Sequence, residues 1–146
     1  MEKILRSSST AETEVIGAKI ARFARKGDII GLGGELGAGK TVFARGALAA
    51  LGLPPHTPVL SPTFTIINSY ELAIPVFHID CYRLQDEKEF IDIGLQDIIK
   101  EGIAFVEWFD KFPSFFAQIA LRVNLIIESE ESRAIILRGD KRFSIE

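Results

Sequence analysis

The sequence predicts an α/β fold of three layers, with a mixed central β-sheet between helices. First, a short apolar run at 29–32 leads through a glycine-dense stretch into a helix-like segment, which is the order strand, loop, helix. Second, strand-like runs at 65–70 and 76–81 are too close in sequence for a helical crossover, so they should pair antiparallel. Third, the last third of the chain reads mostly as sheet. Parallel and antiparallel pairs are therefore expected together.

The first predicted elements are a strand at 4–7 and a helix capped by Thr10 or Thr13 that runs to about Lys26. The next strand, at 29–32, is bounded by turn residues. The glycine-dense stretch that follows leads to a second helix, and four prolines then predict an ordered surface loop. The predicted ranges are 41–51 for that helix and 54–62 for that loop.

Beyond the hairpin-like strands, two short helices, a buried strand and a final pair of alternating strands complete the prediction. The helices are expected at 86–90 and 95–100 with a break near Gly94, and the strands at 103–106, 121–127 and 134–137.

The amino-acid composition limits the functions that this chain can have. With 146 residues, 47% of them hydrophobic and 25% charged, a single folded domain over 1–146 is expected. The net charge of −3 provides no general basic field for nucleic acid, so any such contact needs a local patch or a partner. Cys81 is the only cysteine, which excludes an intrachain disulfide and a cysteine-based zinc site. Without a leader-like segment or a membrane-length apolar run, a cytoplasmic protein is expected.

The strongest motif is GELGAGKT at 34–41, which fits G-x-x-x-x-G-K-[ST] and lies between a predicted strand and a predicted helix. Its glycines let backbone N–H groups curl around a phosphate, and the helix N-terminus adds partial positive charge. Lys40 is expected at the β- and γ-phosphates, and the Thr41 hydroxyl at Mg²⁺. The predicted nucleotide-binding residues are Glu35, Leu36, Gly37, Ala38, Gly39, Lys40, Thr41 and Val42.

Two carboxylates follow apolar strands, where parallel sheets place ligand-binding groups. Glu107 ends the run at 103–106 in a Walker B position, where it would hold Mg²⁺ or orient water. Asp80 ends the run at 76–79 in the same way. A surface strand-end glutamate and a turn aspartate are the alternatives, and the division of roles between the two carboxylates stays open.

Four further side chains each have more than one interpretation. The hydroxyls of Ser61 and Thr63 would reach Mg²⁺ or a γ-phosphate from a closing loop, or they would stabilise a turn. Arg83 would pair with a phosphate, with a carboxylate such as Glu89, or with a partner. Trp108 would stack on a base or close the core.

Together, GELGAGKT, SPTFT at 61–65, HIDCYRL at 78–84 and VEW at 106–108 resemble the bacterial TsaE family, also called YjeE. The likeness extends from about Glu12 to Trp108 and fades after Pro113. That family is the P-loop ATPase of tRNA threonylcarbamoyladenosine synthesis and works with the TsaD and TsaB proteins. The resemblance implies a P-loop NTPase-like fold, ATP and Mg²⁺ as cofactors, TsaD and TsaB as partners, tRNA contacted only through the complex, and no membrane.

The resemblance also implies roles for individual residues. It puts Lys40 on the phosphates, Thr41 and Glu107 at the magnesium, and Asp80 near the γ-phosphate or the attacking water, so that the catalytic set is Lys40, Asp80 and Glu107. It makes the segment with Ser61 and Thr63 a switch-like loop. It places Thr13 beside the adenine and Trp108 close to the nucleotide.

Two other functions stay open on the sequence. A small-molecule or nucleoside kinase shares the P-loop, but no arginine-dense lid segment follows Lys40. A nucleotide-sensing adaptor would change its affinity for a partner by binding alone. For an ATPase, slow turnover without partners is expected, because Arg83 is the one internal candidate for an arginine finger.

Overall fold

The computed structural model describes residues 1–145, which build one seven-stranded sheet flanked by helices. The strands are Glu2–Ser7 (β1), Ile29–Gly33 (β2), Ile67–Tyr70 (β3), Val76–Asp80 (β4), Ile103–Glu107 (β5), Leu121–Ile127 (β6) and Arg133–Gly139 (β7). The helices are Thr10–Ala21 (α1), Lys40–Ala50 (α2), Glu87–Asp92 (α3) and Leu95–Ile98 (α4). Short 3₁₀ segments cover Ile99–Glu101, Phe109–Lys111, Pro113–Gln118 and Lys141–Phe143.

The sheet is mixed, as predicted. Its strand order is β1-β7-β6-β2-β5-β4-β3, and the four central strands β6, β2, β5 and β4 are parallel. The outer strands pair antiparallel, β1 with β7, β7 with β6, and β3 with β4. The register of the last pair, with Ile67 opposite Ile79, confirms the antiparallel pairing predicted from the short connection.

The alternation of side chains along the strands divides the core into two layers. On β5, Ile103 and Phe105 pack toward α1 and α2, whereas Ala104 and Val106 pack toward α3, α4 and the 3₁₀ segments that follow β5. All four side chains are fully buried. Apolar residues on both faces are typical of a parallel strand covered by helices, and they produce the three-layer α/β architecture expected from the sequence.

Helix α1 differs from its prediction at both ends. Its N-cap is Ser9, whose side chain accepts a hydrogen bond from the Glu12 amide at 3.1 Å, so the predicted caps Thr10 and Thr13 lie inside the helix. The predicted end near Lys26 is also wrong, because the helix ends at Ala21. There the amide of Phe23 donates a hydrogen bond to the carbonyl of Ile20, three residues earlier, and this bond tightens the last turn.

Other boundaries shift for local reasons. The segment with four prolines is an irregular loop, as predicted, but β3 begins at Ile67 and not at Thr65. Ile66 has a φ of +70°, which a β-branched residue in a strand cannot adopt, so regular pairing begins after it. The 3₁₀ segments after β5 were not predicted. Within residues 1–145, no helix is long and apolar enough to cross a membrane.

Candidate functional site

The predicted site residues meet at one edge of the sheet. Strands β2, β5 and β4 are parallel neighbours, so their carboxyl ends lie side by side, and Glu107 is in register with both Leu32 and Asp80. Residues 34–39 leave β2 at this edge and lead into α2. They border a cavity of about 320 Å³ that is lined by Leu36, Gly37, Gly39, Lys40, Thr41, Val42, Ser61, Thr63, Asp80, Tyr82, Glu107 and Trp108.

The glycine loop has the backbone that its sequence requires. Gly34 and Gly39 have φ values of +138° and +108°, a region that other residues rarely adopt. A Cβ atom on Gly34 would also collide with the carbonyl of Leu125 on β6. Gly39 immediately precedes the first residue of α2, so the free amides of that helix start at the loop.

Lys40 is the buried cation of the site, with 5% of its surface exposed. Its Nζ donates to the carbonyls of Gly34 at 2.5 Å and Glu35 at 3.0 Å, and it lies 4.1 Å from the centre of the Trp108 ring. Burial lowers the pKa of Lys40, while the carboxylate of Glu107 opposes that shift. Among the described residues no carboxylate forms a salt bridge with Nζ, so its charge is available to an anion in the cavity.

Glu107 is held from two sides. It is 2% exposed, and its Oε2 accepts a hydrogen bond from the Thr41 hydroxyl at 3.3 Å. The Nε2 atom of His78 lies 2.5 Å from the same oxygen, and His78 is completely buried. The carboxylate therefore bridges β4 and the first turn of α2 at the cavity wall.

Asp80 connects the sheet to the loop that precedes β3. Its Oδ2 accepts hydrogen bonds from the hydroxyls of Ser61 at 2.6 Å and Thr63 at 3.3 Å, and its Oδ1 accepts one from the Tyr82 amide at 2.8 Å. Asp80 is 2% exposed. The two hydroxyls therefore tie the loop to Asp80 and also line the cavity.

The donors around Thr41 suit a magnesium ion that is shared with a nucleotide. Residues 1–145 contain no group of three or more histidine, cysteine, aspartate or glutamate side chains that could hold a metal ion. A hydroxyl and a carboxylate do lie together, at Thr41 and Glu107, and hard oxygen donors are what Mg²⁺ prefers. Mg²⁺ commonly takes its remaining ligands from phosphates and water. The residues present therefore fit the ion.

Another cavity of about 320 Å³ also borders the glycine loop, and Thr13 and Arg133 are among the residues that line it. Thr13 is buried, with its Oγ1 2.7 Å from the Ser7 hydroxyl. Arg133 donates from Nε to the carbonyl of Ala38 at 2.9 Å. Arg133 is not identified from the sequence, because it lies in the last strand, 95 positions after Ala38, and belongs to no motif.

Arg83 and Trp108 occupy different places relative to the cavity. The guanidinium of Arg83 lies 5.1 Å from the ring of Phe64, and Arg83 is not among the residues that line the cavity. Trp108 lines the cavity and lies 5.1 Å from the Tyr82 ring. Its φ of +59° turns the chain directly after β5, which brings the indole beside Lys40.

Comparisons with known proteins agree with this architecture. Residues 7–135 match the family described as "Threonylcarbamoyl adenosine biosynthesis protein TsaE". The crystal structure of YdiB from Bacillus subtilis superposes with a TM-score of 0.76 at 29% identity, covering 98% of this chain and 89% of that one. The fold is thus the P-loop fold of that protein, as the glycine motif predicted.

Relatives named "tRNA threonylcarbamoyladenosine biosynthesis protein TsaE" include proteins from Bacillus subtilis and Treponema pallidum. The protein from Bacillus subtilis is 37% identical over 132 residues, which cover 89% of this chain and 81% of the relative. The protein from Treponema pallidum is 32% identical over 130 residues, which cover 88% of this chain and 95% of that relative. With the family match spanning residues 7–135, the chain belongs to the TsaE family.

Proposed function

We propose that this chain is a Mg²⁺-dependent ATPase that serves tRNA threonylcarbamoyladenosine synthesis together with the TsaD and TsaB proteins. One observation carries the proposal: Lys40, Thr41, Asp80 and Glu107 surround a single cavity at the glycine loop. The names of the relatives connect those proteins to this modification. Membership of the same family extends the role to this chain.

Phosphate binding rests on the loop and on Lys40. The loop and the first turn of α2 offer backbone N–H groups, and anions are stabilised at such helix starts. Lys40 reaches the phosphates by exchanging the carbonyls of Gly34 and Glu35 for phosphate oxygens, which makes stronger, charge-assisted hydrogen bonds. We assign nucleotide contacts to residues 35–42, with Thr13 beside the adenine and Trp108 close to the nucleotide.

The two carboxylates are assigned different tasks. Thr41 and Glu107 would hold Mg²⁺, which when bound neutralises charge on the phosphate oxygens. Asp80 orients the attacking water, because it lines the cavity and is tied to the Ser61 and Thr63 hydroxyls. A displacement of the loop would therefore change the hydrogen bonding of Asp80, which makes the loop a switch.

Slow turnover without partners follows from the charges at the cavity. Among the described residues that line it, Lys40 is the one cation and none is an arginine. An arginine finger commonly contributes about 10³-fold or more to phosphoryl transfer. TsaD and TsaB would supply the missing charge or order the Ser61 to Thr65 loop.

The test measures phosphate release from ATP and threonylcarbamoyl transfer to tRNA, with and without the TsaD and TsaB proteins. We expect slow release by the chain alone, faster release with both partners, and modification of tRNA that requires the wild-type chain and fails with Lys40→Ala. A phosphorylated metabolite in place of free phosphate would favour a kinase. Partner binding that responds to ATP without any turnover would favour an adaptor.

A further inference from the structure

His78 lies in the sheet directly behind the candidate site. It is the third residue of β4 and pairs in register with Phe105 of β5, and none of its surface is exposed. Its Nε2 atom lies 2.5 Å from Oε2 of Glu107. The other histidine, His56, sits in the exposed proline-rich loop. His78 therefore contacts the site from the core side and does not line the cavity itself.

The surroundings of the His78 ring indicate where its proton lies. Its Nδ1 atom is buried and has no hydrogen-bond partner within residues 1–145. A proton on Nδ1 would be a buried donor without an acceptor, which is costly. A carboxylate oxygen accepts hydrogen bonds and does not donate them. A proton on Nε2 satisfies both conditions, because Nε2–H then donates to Glu107.

A packing role alone does not explain this histidine. An apolar ring of similar size would fill the same space without burying the polar Nδ1 atom, whose burial without a partner is unfavourable. The hydrogen bond to Glu107 is the one favourable polar contact that the ring makes among the described residues. That contact is directed at a residue of the cavity wall, so the reason for a histidine lies in the site.

We propose that His78 is a positioning residue that fixes the Glu107 carboxylate for Mg²⁺–nucleotide binding, an inference that rests on the proposed function. His78 and the Thr41 hydroxyl both contact Oε2 of Glu107, so this oxygen is held from two elements at the wall of the cavity that Glu107 lines.

The test compares His78→Phe, which keeps a ring and loses the donor, with His78→Gln, which restores an N–H group. The exposed-site control is His56→Asn, because asparagine tolerates the φ of +67° at that position. Binding of ATP is followed by calorimetry and by the fluorescence of Trp108, the only tryptophan, first in EDTA and then across a Mg²⁺ titration. The thermal unfolding of each variant is recorded in parallel with the binding measurements.

For His78→Phe we expect unchanged ATP affinity in EDTA and a Mg²⁺ requirement raised about ten- to a hundred-fold, the usual cost of losing a partner of a metal ligand. His78→Gln should recover most of the wild-type Mg²⁺ requirement, and His56→Asn should match the wild type throughout. An unchanged Mg²⁺ requirement in His78→Phe overturns the proposal. So does equal weakening with and without Mg²⁺, which a purely structural role would produce.

A second measurement uses the wild-type protein and keeps the proposal testable should His78→Phe fail to fold. Long-range ¹⁵N–¹H spectra of the histidine rings distinguish the two neutral tautomers. We expect the Nε2–H form for His78, and an Nδ1–H form would overturn the inference. Failure of the wild type to bind ATP at all would instead refute the proposed function, so the two failures are distinguishable.

Discussion

Two regions of this molecule bury charged side chains, and they do so in different ways. Asp28 and Arg142 form a bidentate pair, with both guanidinium–carboxylate distances at 2.6 Å and side chains 11% and 16% exposed. Hydrogen bonding to Asp28 raises the pKa of Arg142. At the other end of β2, Lys40 is buried without a salt bridge among the described residues and lines a cavity with Asp80 and Glu107.

The difference indicates what each group of charges is for. Asp28 and Arg142 satisfy each other and fasten the C-terminal segment to the turn after α1, where Arg142 also donates to the carbonyl of Phe23. A buried charge that lacks a full partner in its own chain is costly, and a ligand of opposite charge removes that cost. Complete pairing is therefore the sign of a structural role, and incomplete pairing around a cavity is the sign of a binding role.

The largest effect is expected at Lys40. Lys40→Ala should weaken ATP binding about 100-fold, or about 3 kcal/mol, because charge-assisted hydrogen bonds to the phosphates are lost. The melting temperature without ligand should change little, because the substitution removes the desolvation cost of the buried ammonium together with its hydrogen bonds to the carbonyls of Gly34 and Glu35. Calorimetry and thermal unfolding measure the two quantities. The control is Lys26→Ala, which removes an exposed pair with Glu101 and should leave ATP binding intact. Wild-type ATP affinity in Lys40→Ala would contradict the comparison.

Arg142 should behave in the opposite way. Arg142→Ala leaves Asp28 without its ionic partner and should lower the free energy of unfolding by roughly 2 kcal/mol, less than the loss for a fully buried pair. ATP affinity should not change. Urea unfolding is the measurement, and Arg138→Ala is the control, because its pair with Glu2 lies at the surface and contributes little. A loss of ATP binding in Arg142→Ala would contradict the assignment of a purely structural role to the Asp28–Arg142 pair.

Within the site, the two carboxylates of the cavity should contribute to activity in different ways. Glu107→Gln should raise the Mg²⁺ concentration needed for turnover about tenfold, because a charged ligand becomes neutral. Asp80→Asn should lower the turnover number more than the ATP affinity. Both effects are read from steady-state phosphate release at varied Mg²⁺ and ATP with the partners present. If the two variants shifted the Mg²⁺ dependence equally, the assigned roles would be wrong.

The smallest effect is expected at Cys81, which follows Asp80 but packs into the core. Burial raises the pKa of the Cys81 thiol to about 12. Because this is above the ordinary value of 9.0, the unfolded chain loses the proton first as the pH rises. The stabilisation by the neutral thiol is thus complete below about pH 8 and is lost toward pH 12. Between pH 8 and pH 10 the wild type should lose about 1 kcal/mol more unfolding free energy than Cys81→Ala. Identical pH dependence of the two proteins would mean that the thiol is accessible.

Much of the site was predictable because its residues carry local patterns. The glycine loop needs its exact spacing to accept a phosphate, and both carboxylates follow apolar runs that could be recognised as strands. His78 and Arg133 were not identified as site residues. In the sequence, His78 looks like an ordinary residue at the edge of the core, and its contact with Glu107 is evident only once β4 is paired with β5. Arg133 lies on β7, far along the chain from the glycine loop that it contacts.

The sequence by itself determined the α/β class, the loop 34–41 and the antiparallel pairing of β3 with β4, because spacing and short connections act over a few residues. The 3₁₀ segments after β5 depended on packing, because Phe109, Phe112 and Phe115 are buried in the second core layer. Only the tertiary structure decided which distant residues meet, namely His78 with Glu107, Asp80 with the Ser61 loop, and Asp28 with Arg142. The physical reason is that strand order is set by the burial of two apolar faces of one sheet, a property of the whole chain that no single segment encodes.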